Sequence, residues 1–156
     1  MTIRKAQPKD IPRIGELLIQ VCNVHHSGRP DLFRENGRKY DDATLEAMLP
    51  DPKTPVFVAV NAEDVVLGYC FCVLEERIGL GAMTDGKTLY IDDLCVDQAC
   101  RGRNIGGELF AFAKQFAKES GCSNLTLNVW AKNTSAIRFY EKCGLSVQKI
   151  GMEMIL

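Results

Sequence analysis

The chain has 156 residues, of which 46% are hydrophobic and 25% are charged, and its formal net charge is −1. This size and composition are typical of one globular domain, residues 1–156, that buries a hydrophobic core without the help of disulfide bonds or metal ions. The near-neutral charge argues against an extended nucleic-acid surface, and no apolar stretch has the length of a signal-peptide core or a membrane span. We therefore expect a cytoplasmic protein that binds neither nucleic acid nor membranes.

The first half of the chain predicts two helices and three strands. They are a strand at 2–6, a helix that starts near residue 10, a short helix at 42–49, and strands at 55–60 and 65–75 that form an antiparallel hairpin. The first helix has one apolar face, because Ile14, Leu17 and Leu18 recur at helical spacing. Residues 23–40 show no clear period, and a loop of this length is typically functional or mobile.

The second half predicts a β-α-β-α-β order. Its elements are a strand at 88–96, a helix at 105–120, a strand at 125–130, a helix at 134–143 and alternating strand residues at 145–156. The first of these helices places Leu109, Phe112 and Phe116 on one face, and Gly121 ends it. Antiparallel strands followed by such a tail predict an α/β fold with a mixed sheet.

The cysteines and histidines do not indicate a metal site. The seven cysteines are scattered through mostly apolar segments without a C-x-x-C pair, so we expect reduced, small core residues. His25 and His26 lack the accompanying spaced ligands of a zinc site. The sequence therefore predicts no bound metal.

Residues 94–107 run from an apolar strand through a basic, Gly-rich turn into a helix. The first turn of a helix offers backbone N–H groups without partners and partial positive charge, which favours a bound diphosphate. The supporting side chains are Arg101 and Arg103, which add charge, Gly102, Gly106 and Gly107, which leave the main chain open, and Asn104, which tolerates a left-handed backbone. Alternatively, the glycines serve only to pack the helix against the sheet.

Three further side chains stand out in apolar segments. Asp92 and Asp93 interrupt a strand, and neighbouring strand residues point to opposite faces, so the two do not form one solvent-facing stripe. A carboxylate partly withdrawn from water has a raised pKa and suits a general base, although each Asp can equally pair with a basic group or cap the backbone. Tyr140 shares the inner helical face with Phe139, which is also the pattern of a core tyrosine.

Residues 90–96, 101–106, Asn133 and 136–145 together resemble the GNAT N-acetyltransferase superfamily in motif content and spacing. The resemblance implies a GNAT-type α/β fold with a central, twisted, mixed and mostly antiparallel sheet. Six to seven strands flanked by about four helices are expected, with the sheet splayed between its two central strands.

The resemblance also implies an enzyme that uses acetyl-CoA as donor and a primary amine as acceptor. The implied diphosphate site comprises Arg101, Gly102, Arg103, Asn104, Ile105, Gly106 and Gly107, and the implied contacts with the pantetheine arm are Leu94, Cys95, Val96, Asn133 and Tyr140. The arm would pair with the strand as an additional strand does. Tyr140 matches the position that gives a proton to the departing thiolate.

Two positions depart from the family pattern. Asn104 stands where a glycine is usual in the diphosphate turn, which puts the strength of cofactor binding in question. Asn128 stands where some members that acetylate protein amino termini carry a glutamate base. The general base is therefore expected at Asp92, which resembles the carboxylate of polyamine-acetylating members, and next at Asp93.

The acceptor stays open among polyamine-like amines, amino acids, aminoglycoside-like compounds and peptides. A binding module that senses acyl-CoA without turnover is the main alternative. A nucleotide-binding protein is disfavoured, because the Lys-Ser/Thr ending of a P-loop is absent. A homodimer is plausible from the resemblance alone.

Overall fold

The computed structural model describes residues 1–156 as one five-stranded sheet with four α-helices. In chain order the elements are β1 (Thr2–Lys5), α1 (Ile11–Gly28), α2 (Asp42–Met48), β2 (Val56–Val60), β3 (Val66–Arg77), β4 (Gly86–Val96), α3 (Ile105–Glu119), β5 (Asn124–Leu127) and α4 (Thr134–Lys142). Short 3₁₀ turns precede α1 and follow β4. No helix has both the length and the apolar character that crossing a membrane requires.

The strands lie in sequence order, β1-β2-β3-β4-β5. The first three pairs are antiparallel, as expected for hairpin-connected strands, and β4 and β5 are parallel. The parallel pair requires a crossover, which α3 supplies. The mixed, mostly antiparallel sheet that the sequence predicts is therefore confirmed.

Helices cover both faces of the sheet and divide the core in two. On one face, Ile14, Leu17 and Leu18 of α1 pack with Val58 and Tyr69 of the sheet. On the other face, Leu109 and Ala113 of α3 pack against alternate residues of the strands, including Phe57, Cys70 and Leu89. Strand β2 is buried along its whole length for this reason, and its sequence is continuously apolar.

One helix and one strand end at different residues from those that the sequence predicts. Helix α1 continues to Gly28, so the predicted loop at 23–40 begins only after that residue. The strand predicted at 125–130 ends at Leu127.

The strand predicted at 145–156 is wrong, because these residues lie in no helix or strand. An alternating pattern supplies an apolar face but not a partner strand, and here no strand pairs with the segment. Its large apolar side chains, Val147, Ile150, Met152, Met154, Ile155 and Leu156, are all at least 77% exposed. The sheet consequently has five strands instead of the expected six to seven.

Candidate active site

A gap opens between strands β4 and β5. The two strands pair only from Thr88 to Ile91 of β4, where β5 ends. Strand β4 continues to Val96 and pairs there with β3 alone. The other edge of residues 92–96 therefore faces an opening that an extended ligand arm can occupy as an additional strand. Three of the five expected contacts with the pantetheine arm, Leu94, Cys95 and Val96, lie along this edge.

A β-bulge marks the point where the gap begins. Phe71 of β3 stands opposite Asp93 and Cys72 stands opposite Ile91, so Asp92 has no partner on β3. The extra residue shifts the alternation of side chains beyond it. The expectation that Asp92 and Asp93 point to opposite faces is wrong for this reason.

Both carboxylates instead meet groups from the α1–α2 side of the sheet. The Tyr40 hydroxyl donates a hydrogen bond to Oδ2 of Asp92 at 2.6 Å, and the Tyr69 hydroxyl donates one to Oδ2 of Asp93 at 2.9 Å. The Lys39 Nζ lies 2.8 Å from Oδ1 of Asp92. Tyr69 is fully buried in the core below α1, and Tyr40 packs against that core. Two acidic groups with different partners thus lie side by side at the mouth of the gap.

Burial raises the pKa of Asp93 from 3.8 to about 6. The hydrogen bond from Tyr69 and the charge of Lys39 oppose this rise, while the charge of Asp92 adds to it. Burial also raises the pKa of the Tyr40 and Tyr69 hydroxyls, which therefore remain protonated donors at neutral pH. A carboxyl group whose pKa lies near neutrality can exchange protons with an acceptor amine.

We expect Asp93→Asn to stabilise the fold at pH 7. Because the folded-state pKa of Asp93 is raised from 3.8 to about 6, the folded protein holds this proton more tightly than the unfolded chain. The free energy of unfolding therefore falls as pH rises from about 4 to about 6. Asparagine removes this loss and still accepts the Tyr69 hydrogen bond, so we expect a gain on the order of 2 kcal/mol at pH 7.

Urea unfolding of both proteins at pH 4, 5, 6 and 7 measures this effect. The two proteins should be nearly equally stable at pH 4, which serves as the internal control. A variant that is less stable than the wild type at pH 7 would show that the Asp93 charge is compensated in the fold.

The turn between β4 and α3 has the backbone shape of an anion site. Asn104 precedes α3 in the left-handed conformation that the sequence predicts, with φ 59° and ψ 16°, and Gly102 has φ 81°. The N–H groups of Ile105, Gly106 and Gly107 donate to no backbone acceptor. A Cβ at Gly107 would collide with the Asn104 side chain, so glycine at 107 leaves room for the asparagine at 104.

Two arginines add positive charge to this turn. Arg101 and Arg103 are both exposed, and the Arg101 Nε donates to the Val96 carbonyl at 3.4 Å. Each guanidinium can also donate to phosphate oxygens in a bidentate manner. The free N–H groups, the positive helix end and the two arginines together fit a diphosphate.

Tyr140 lies on α4, and the centroid of its ring is 6.4 Å from that of Phe110 and 5.0 Å from that of Phe139. Its hydroxyl makes no hydrogen bond within the protein, and burial raises its pKa, with smaller contributions from Cys70 and Asp93. The hydroxyl is therefore a protonated donor without an internal acceptor. Asn133 begins the same helix, and its Oδ1 accepts from the Ala136 N–H at 3.2 Å, which leaves its amide N–H groups available.

A cavity of about 320 Å³ lies along β4. Thr88 and Tyr90 line it, and Asp92 follows them on the same face at the strand period of two. Its remaining walls are mostly polar and include Glu75, Arg77, Asn124, Thr126, Asn128 and Lys149, with Met83 and Leu127 as the apolar members. Asn128, where the resemblance made a glutamate the alternative base, donates to the Tyr90 hydroxyl at 3.2 Å.

Sequence reasoning did not identify Lys39, Tyr40 or Tyr69 as parts of the site. Lys39 and Tyr40 lie more than 50 residues from Asp92 in the chain, and Tyr69 lies in what reads as an ordinary buried strand. No spacing pattern connects such positions. Only the fold brings them together.

A family model for the acetyltransferase (GNAT) family matches residues 21–145. Among curated proteins, a peptidyl-lysine N-acetyltransferase, YjaB, from Salmonella typhimurium is 32% identical over 135 residues, which cover 85% of this chain and 77% of that protein. A glucosamine 6-phosphate N-acetyltransferase from Arabidopsis thaliana is 36% identical over 67 residues. That match spans 43% of each chain, less than half of the relative's length.

Solved structures show the same fold. A tetramutant of the BH1408 protein from Bacillus halodurans superposes with a TM-score of 0.95 at 33% identity, over 100% of both chains. An aminoglycoside acetyltransferase from an uncultured soil metagenomic sample superposes with a TM-score of 0.72 at 21% identity, over 99% of this chain and 95% of that one. The second likeness concerns the fold alone.

Proposed function

The chain belongs to the acetyltransferase (GNAT) family and is an acyltransferase, and from this premise we propose that it transfers the acetyl group of acetyl-CoA directly to a primary amine. One observation carries the proposal. The free edge of β4 begins at two carboxylates whose partners lie on the α1 side of the sheet, and Tyr140, whose hydroxyl has no partner, packs with Leu94 and Val96 in the cluster on the α3 side. This arrangement supplies a proton acceptor for the attacking amine and a proton donor for the departing sulfur of the thioester.

Different residues of the gap bind different parts of acetyl-CoA. The N–H groups that begin α3 and the charges of Arg101 and Arg103 hold the diphosphate of the donor. The edge of residues 94–96 pairs with the pantetheine arm, and Asn133 contacts the same arm. The thioester then lies beside the bulge at Asp92. A strand N–H near residues 94–95 polarises the thioester carbonyl, as in oxyanion sites.

The chemical step needs one base and one acid. A neutral amine attacks the thioester carbonyl carbon, the C–N bond forms and the C–S bond breaks. Asp92, or next to it Asp93, accepts the amine proton, and Tyr140 protonates the departing sulfur. Mixed polar walls make the adjoining cavity suitable for the rest of a small hydrophilic amine or of a peptide.

Thiol release from acetyl-CoA across a panel of acceptors tests the function. The panel should contain polyamines, amino acids, amino sugars, aminoglycosides and lysine peptides. We expect turnover with one class, and coenzyme A binding that ATP does not displace. Tight coenzyme A binding without turnover on the whole panel would contradict the transferase and favour an acyl-CoA sensor.

We also propose a homodimer formed through residues 145–156. Ile150, Met152, Met154 and Leu156 alternate along this exposed segment, and the outer edge of β5 is unpaired. An apolar strand-like segment and a free sheet edge complement each other between two copies. Within one chain, the segment makes one ion pair: Nη1 of Arg29, just after α1, donates to Oε1 of Glu153 at 2.5 Å.

Light scattering coupled to size exclusion measures this association. We expect twice the chain mass of 17.3 kDa for the wild type and a single chain mass for a Met152→Asp, Met154→Asp double variant. Ser146→Asp, an exposed polar position on the same segment, is the matched control. A wild-type protein of one chain mass would contradict the dimer.

A further inference from the structure

An amine of the protein itself occupies the place where an acceptor amine is required. The Lys39 Nζ lies 2.8 Å from Oδ1 of Asp92 and 3.2 Å from its backbone oxygen. The Lys39 side chain is 44% exposed and the Asp92 side chain 15%. Lys39 therefore reaches from the surface to a carboxylate that is mostly withdrawn from water.

The surroundings of Lys39 leave its side chain accessible to solvent and outside any helix or strand. Lys39 lies between α1 and α2, in a stretch without helix or strand, and its Nζ is 5.5 Å from the centroid of the Tyr40 ring. Such a side chain can turn between the Asp92 carboxylate and the adjoining gap. The other lysines bound to carboxylates, Lys9 and Lys87, pair with Asp64 and Glu76, which are outside the gap.

We propose that the protein acetylates its own Lys39. The inference rests on the proposed acetyl transfer and names a substrate for the same site. After the ammonium has lost one proton to solvent, the neutral Nζ attacks the thioester carbonyl carbon of acetyl-CoA. A C–N bond forms, the C–S bond breaks, Asp92 takes the second amine proton and Tyr140 protonates the sulfur. The products are Nε-acetyl-Lys39 and coenzyme A.

Proximity is the physical advantage of Lys39 over other amines. A group held in contact with the base reacts in a unimolecular step and does not need to be captured from solution. Acetylation also removes the lysine charge and breaks the ion pair, which leaves Tyr40 as the one side-chain partner of Asp92. The modification therefore changes the electrostatic setting of the site.

Peptide mass spectrometry after incubation with acetyl-CoA tests the proposal. Lys53 is exposed, makes no ion pair and serves as the internal control for non-enzymatic acetylation. We expect Lys39 to react faster than Lys53 by on the order of tenfold or more, with a rate constant that does not depend on protein concentration. In Tyr140→Phe and Asp92→Asn the ratio should fall to about one, because both variants retain ordinary lysine reactivity.

Two results would overturn self-acetylation. One is equal labelling of Lys39 and Lys53 in the wild type, and the other is a rate constant that rises in proportion to protein concentration. Thiol release with external amines is measured on the same preparation. Turnover of an external amine without selective labelling of Lys39 rejects this proposal alone, whereas the absence of both rejects the proposed function as well.

Discussion

Tyr140→Phe is expected to lower kcat by about a hundredfold or more, as the loss of a general acid does. Coenzyme A binding should change little, because the diphosphate turn and the edge of β4 are untouched. The hydroxyl has no acceptor within the protein and its pKa is raised by burial. It therefore carries a proton at neutral pH that a ligand in the gap can receive. Phenylalanine keeps the packing against Phe110 and Phe139.

The comparison requires kcat, coenzyme A affinity by calorimetry and a thermal melt. Tyr90→Phe is the matched control, since it also removes one tyrosine hydroxyl, here one that accepts from Asn128 in the adjoining cavity. We expect the control to act on the acceptor KM and to leave kcat within about tenfold, as for loss of one neutral hydrogen bond. An unchanged kcat in Tyr140→Phe, with an intact fold, would show that the thiolate leaves without this acid.

The parts of the site that the sequence predicts are those governed by local physics. Asn104 adopts a left-handed backbone, and α3 begins at Ile105, because helix starts and left-handed turns depend on a few adjacent residues. The helices follow from apolar spacing for the same reason. The order of strands follows from connection length, since the short turn before Val66 favours a hairpin and the helix after β4 requires a crossover.

The parts that the sequence does not predict depend on pairing between distant strands. The bulge at Asp92 is a property of the register between β3 and β4, and nothing in the residues on either side of it marks the shift. Strict alternation therefore places Asp92 and Asp93 on opposite faces, whereas the bulge brings both carboxylates to the α1–α2 side. The strand prediction for residues 145–156 is wrong for a different reason. Apolar residues do alternate along this segment, but no strand of the chain pairs with it.

We expect Asp92→Asn to lower kcat/KM by about a hundredfold or more, which is typical of removing a general base. The amide keeps an oxygen that accepts from Tyr40, as Oδ2 does at 2.6 Å, so the geometry of the bulge is retained. It cannot accept a proton. Lys39 loses an ion pair in this variant, but its exposed side chain remains hydrated, so little stability is lost.

Asp93→Asn distinguishes Asp92 from Asp93 as the general base. If Asp92 is the base, this variant should lose less than about tenfold in kcat/KM, because it removes a charge beside the base and not the base itself. The opposite outcome has a distinct signature, since the pKa of Asp93 lies at about 6. A wild-type profile of kcat/KM that rises through pH 6, together with loss of that rise and of most activity in Asp93→Asn, would assign the base to Asp93. Asp92 would then act by holding Lys39 and Tyr40 beside it.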